Sequence, residues 1–100
     1  MNVDFSQQIK GLDGVVLKGE DSKELTLASV CTNAVLANFQ DEANLSGEEK
    51  VKRYDLALGI YSTTEPLDLK SEDVALIKKS VAKLFGALVV GQAFKMLEGE

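Results

Sequence analysis

The sequence predicts an α+β fold: a small β-hairpin, three short strands if residues 67–69 join it, packed with about four α-helices in one domain spanning 1–100. Three observations carry that prediction. Residues 3–9 alternate apolar and polar side chains before an Asp-Gly turn. Beyond residue 26 the apolar residues recur at the helical period of 3.6. A serine followed by carboxylates opens two segments, Leu45-Ser46-Gly47-Glu48-Glu49 and Leu69-Lys70-Ser71-Glu72-Asp73, which places acids at the positive end of a helix dipole.

The elements follow in chain order. Val3, Phe5 and Ile9 lie on one side of an extended segment, with Asp4, Ser6 and Gln8 on the other. Gly11-Leu12-Asp13-Gly14 turns the chain and Val15, Val16 and Leu17 return it, because Asp-Gly tolerates the left-handed conformations of a tight hairpin. A charged loop occupies 20–24. Leu27, Val30, Cys31, Ala34 and Val35 then fall on one helical face, capped by Thr26, in a helix ending near residue 38. A second helix runs over 47–61, with Ser46 and Glu49 at capping-box spacing and Val51, Tyr54, Leu58 and Tyr61 as its buried stripe. Leu67 and Leu69 mark one short strand after Pro66. A third helix, starting at Glu72 behind a Ser71 cap, buries Val74, Ile77, Val81, Leu84 and Phe85 and turns Lys79 and Lys83 outward. Gly86 ends or bends it, and a last helix over 87–98 is apolar over about half its circumference.

Composition excludes several roles. A chain of 100 residues with 45% hydrophobic content and one proline has the makings of a packed core rather than disorder. Sixteen acidic and eleven basic residues, net charge -5, oppose binding to a nucleic-acid backbone, which depends on clustered cations. The interspersed cations equally oppose strong DNA mimicry. A single cysteine makes no internal disulfide, and the start does not read as a secretion signal, so a reducing cytoplasm is the expected setting. The longest mostly apolar stretch, 84–97, is too short to span a bilayer. No membrane association is expected.

The catalytic possibilities are equally narrow. The chain has no histidine, which removes the commonest general base, the Ser-His and Cys-His nucleophile pairs and the commonest transition-metal ligand. Cys31 falls within an apolar stripe, where a thiol is an inert small hydrophobe. Asp41, Glu42, Glu48 and Glu49 lack the alternating ligands and central glycine of a calcium loop and read as solvated charges. Gly11-Leu12-Asp13-Gly14 carries an acid that repels phosphate, so it reads as a turn. Lys50, Lys52 and Arg53, like Lys78, Lys79 and Lys83, read as solvated faces complementing nearby acids. The expectation is a protein with no catalytic residues, no metal and no cofactor.

One pattern is less ordinary. Projected at ~100° per residue, each helix carries a leucine near its polar side: Leu36, Leu56, Leu76 and Leu88. Exposed leucines need no explanation singly, and a helix touching neighbours on two sides buries both faces. If several converge, they form the charge-rimmed apolar patch typical of a protein-binding surface. These four are the candidate partner-binding residues.

Asn38-Phe39-Gln40-Asp41-Glu42, Asn44-Leu45-Ser46-Gly47-Glu48-Glu49-Lys50, Ile77-Lys78-Lys79 and Leu88-Val89-Val90-Gly91-Gln92-Ala93 resemble stretches of small uncharacterised proteins encoded by tailed bacteriophages and prophages. The resemblance covers residues 27–99 and carries no catalytic motif. It implies the cytoplasm of an infected bacterium and a non-enzymatic accessory protein that binds and modulates a host or phage protein. The alternative it implies is a virion morphogenesis component or assembly chaperone that self-associates, through residues 87–98.

Overall fold

The computed structural model describes residues 2–19 and 22–99. Strand β1 (Asn2–Val3) pairs antiparallel with β2 (Leu67–Asp68), Val3 opposite Leu67. Four helices follow one another as α1 (Leu27–Leu36), α2 (Gly47–Ser62), α3 (Ser71–Leu84) and α4 (Ala87–Leu97), with a short 3-10 turn, Gln40–Glu42, between the first two. The chain is α+β, and the third strand expected near Pro66 is present.

The N-terminal strands are shorter than the alternation suggests. Asp4 stops β1, because its Oδ1 accepts from both the backbone N–H and the hydroxyl of Ser6 (2.9 and 2.6 Å) and bends the chain. The predicted hairpin survives as a single bridge between Lys10 and Val16, flanked by bridges Gln8 to Thr26 and Lys18 to Glu24. These three bridges belong to a closed triangle. Ile9 N–H donates to the Leu25 carbonyl (2.8 Å), Leu25 N–H to that of Leu17 (2.7 Å), and Leu17 N–H to that of Ile9 (2.9 Å). The corners are eight residues apart.

An eight-residue repeat unnoticed in the period-two pattern explains the triangle: Ile9-Lys10-Gly11-Leu12-Asp13-Gly14 aligns with Leu17-Lys18-Gly19-Glu20-Asp21-Ser22. Glu20 and Asp21, in the charged loop 20–24, lie outside the described residues. The loops close alike, Gly11 N–H donating to Val15 and Gly19 N–H to Lys23, both at 2.9 Å. Gly14 (φ 83°) and Ser22 (φ 64°) occupy equivalent left-handed positions, free for glycine and strained for serine.

α1 is the centre of the molecule and packs against α2, α3 and α4. Thr26 caps it as expected, in a reciprocal box with Ser29, and Leu27, Val30, Cys31, Ala34 and Val35 are all buried. Ile9, Ile60, Ile77 and Leu97 close the core around it, each fully buried and contributing about 1.5–3 kcal/mol relative to exposure. Gln92 on α4 holds the N-terminal triangle in place: it accepts from Lys10 N–H (2.9 Å) and donates to the Lys10 carbonyl (2.6 Å), completing the edge as a strand would.

Three local expectations change. Ser71 is the first residue of α3 rather than its cap, and Lys70, at the cap position, makes no side-chain capping hydrogen bond. Leu84 is 43% exposed because α3 ends there, and Gly86 starts α4 instead of closing α3 in a left-handed turn. Ser46 does cap α2, accepting from Glu49 N–H at 3.1 Å.

Candidate functional site

α2 presents two apolar stripes, about a third of a turn apart, and only one is covered. The buried side holds Arg53, Ala57 and Ile60, with Leu56 packed partly against the core. Val51, Tyr54, Leu58 and Tyr61, the stripe that periodicity assigns to the core, face outward and are 58%, 57%, 49% and 78% exposed. The orientation turns on Arg53. Its guanidinium forks onto the carboxylate of Glu42 at 3.0 and 2.7 Å, and the two side chains are only 10% and 8% exposed. A charge paired in this bidentate way is accepted at a near-buried position that an isolated arginine would refuse.

This pair fastens the link between α1 and α2. Glu42 also faces Lys79 and Lys83 at 3.6 Å, and Lys83 reaches Asp41 at 2.8 Å while lying over the Phe39 ring. The hydrogen bond from Arg53, with added attraction from Arg53, Lys83 and Lys79, outweighs desolvation and holds the Glu42 carboxyl down at about 2. The same hydrogen bond raises the Arg53 pKa. Glu42, Arg53 and Lys83 are therefore clamp residues rather than the solvated charges their composition suggests. Gathering basic groups around the Glu42 carboxylate keeps it ionised, so it has no proton to donate at neutral pH.

Beside the exposed stripe runs a groove of about 810 Å³, lined by Thr32, Asn33 and Leu36 of α1 and by Tyr54, Ala57, Leu58 and Tyr61 of α2. A second hollow of about 510 Å³ lies between the end of α1 and the 3-10 turn, bordered by Phe39, Leu45, Lys50 and the Arg53–Glu42 pair. Leu36, 54% exposed, lines both. The lining is apolar, hydroxyl and amide for the most part. Such a surface suits contact with another apolar face better than bond-making chemistry.

The four candidate leucines separate. Leu36 stands on this groove, whereas Leu88, 40% exposed, belongs to a separate shallow hollow that it lines with Lys10, Leu12 and Gln92. Leu56 packs against the core and Leu76 is half-buried. None of the cavities described is lined by two of them. The residues that do gather beside Leu36 were hidden by a true feature of the sequence: two helical stripes on α2, of which the one containing arginine looked polar. Leu12, 98% exposed at the tip of the first repeat loop, also escaped the helical projection.

Cys31 is fully buried and burial pushes its thiol up to about 12, which leaves no thiolate for nucleophilic attack at neutral pH. Among the described residues, no three of cysteine, aspartate and glutamate gather in a metal-ligating group, and no helix is long and apolar enough to cross a membrane. Compared with protein-family models, with curated proteins and with solved structures, the chain matches none.

Proposed function

We propose that the chain is a non-enzymatic protein-binding module whose contact surface is the outer face of α2 together with Leu36. The observation that carries this reading is the contiguous exposure of Val51, Tyr54, Leu58 and Tyr61 over three helical turns, beside a groove. Single exposed apolar residues are ordinary, but a joined stripe bearing two tyrosines has the composition of an interface centre. Its setting, on the resemblance to small phage and prophage proteins, is the bacterial cytoplasm, where it acts as an accessory protein that modulates a host or phage partner. With net charge -5, the partner is protein rather than nucleic acid.

The alternative of a self-associating assembly component relies on α4. That helix directs Ala93 and Leu97 into the core, and Leu88 is its one large apolar side chain counted as exposed. The α2 face offers more. Tyr54→Lys with Leu58→Lys tests it: because both side chains are exposed, each change shifts stability by about 0.5 kcal/mol or less. The double variant should melt close to the wild type and fail to retain the protein that wild-type bait captures from bacterial lysate. Equal retention of the same protein by a folded double variant refutes the assignment.

A further inference from the structure

Resting on that reading of the α2 face, we propose that its occupant is an amphipathic α-helix of another protein, with apolar residues at heptad spacing and lysine or arginine along one flank. Val51, Tyr54, Leu58 and Tyr61 are separated by three, four and three residues, the spacing of a coiled-coil seam left open to solvent. At ~1.5 Å per residue the seam is about 15 Å long, matching about three turns of a partner helix. A helix laid along such a seam meets it through side chains of the same spacing.

The edges of the seam select the partner. On the inner edge stand Ala57 and the groove wall of α1, uncharged at Thr32, Asn33 and Leu36, with Lys50 at the N-terminal end. On the outer edge, at ~40–60° around the helix from Val51, stand Glu48 and Asp55, both exposed, with the exposed Lys52 farther round at ~100° and away from the seam. An antiparallel second copy would set these outer edges against each other, acid on acid. A parallel copy would lay each acidic edge over the inner edge, where Lys50 is the one cation flanking the seam and answers only one of the two acids. A helix from another protein with a basic flank answers both acids and buries the seam.

The test uses the full chain and fluorescein-labelled three-heptad peptides read by fluorescence anisotropy. One peptide has a leucine seam with lysines on its flank, a second has the same seam with glutamates, and a third is a scrambled version of the first. The lysine-flanked peptide should bind about tenfold or more tighter than either other peptide, with affinity falling as salt rises. Glu48→Lys with Asp55→Lys should invert the order of the two flanked peptides, whereas Glu24→Lys with Glu72→Lys, an equal change of net charge elsewhere, should not. Equal affinity for both flanked peptides, an order unmoved by the Glu48 and Asp55 changes, equal binding of the scrambled peptide, or no binding of any peptide overturns the proposal. A dimer detected by sedimentation and broken by Tyr54→Lys also overturns it, in favour of a second copy. Binding that persists in the Tyr54→Lys, Leu58→Lys variant instead counts against the α2 face itself, which keeps the two failures apart.

Discussion

Replacing Glu42 with glutamine should destabilise the fold far more than its place in a polar link suggests. The substitution keeps the shape of the side chain but removes the charge that Arg53 holds at 3.0 and 2.7 Å. Breaking a fully buried pair costs about 3–5 kcal/mol, because the remaining charge is left without a partner. Arg53 is 10% exposed at its side chain, so some water reaches it, and the amide oxygen of glutamine still accepts one hydrogen bond. About 2 kcal/mol is the resulting expectation. For a domain of this size that lowers Tm by roughly 8–16 °C. Urea denaturation at neutral pH measures the loss, and the cycle completed by Arg53→Met and the double variant isolates the pair, with a coupling of about 1–2 kcal/mol.

Acid supplies an independent check. The carboxyl of Glu42 is held at about 2 in the fold, below its ordinary 4.5, so ionised Glu42 favours the folded state. The contribution is fully present above the ordinary value and disappears as pH falls toward 2. The wild type should therefore lose stability over that window more steeply than Glu42→Gln, and the two curves should converge at the acid end. If Glu42→Gln lies within about 0.5 kcal/mol of wild type at neutral pH, the clamp does not orient α2.

Two further expectations concern backbone ends and turns. Ser46→Ala should cost about 0.5–2 kcal/mol, since its oxygen caps α2, while Ser71→Ala should stay within about 0.5 kcal/mol because Ser71 makes no cap; paired chemical denaturation reads both, and equal losses contradict the assigned start of α3. Ser22→Gly should stabilise by about 0.5 kcal/mol and Gly14→Ala should cost about 1 kcal/mol, because both positions have positive φ. A Ser22→Gly variant less stable than wild type by more than 1 kcal/mol, measured the same way, would contradict the equivalence of the two repeat loops.

Local chemistry was legible residue by residue. Thr26 and Ser46 announced the starts of α1 and α2 because a cap needs only its own hydroxyl and an N–H three residues on. The core face of α1 was legible because that helix has one apolar stripe. Leu36 stood out against it, and the structure leaves it exposed. The same reasoning failed at Ser71, where Lys70 takes the cap position and the true boundary differs by one residue.

Tertiary structure decided what no single element contains. α2 carries two stripes of helical period, so periodicity alone cannot choose between them. The choice came from Ala57 and Ile60 meeting α1, and from Arg53 finding Glu42 eleven residues earlier in sequence across a turn. Likewise the eight-residue repeat is written in the sequence, but its closure into a triangle requires Ile9, Leu17 and Leu25 to exchange hydrogen bonds across two loops. By itself the sequence determined where α1, α2 and α4 begin, which residue types were available for chemistry and that α2 was amphipathic. The pairing of Arg53 with Glu42, together with the packing of Ala57 and Ile60, decided which face of α2 meets the core, because a near-buried guanidinium is costly without a carboxylate to receive it.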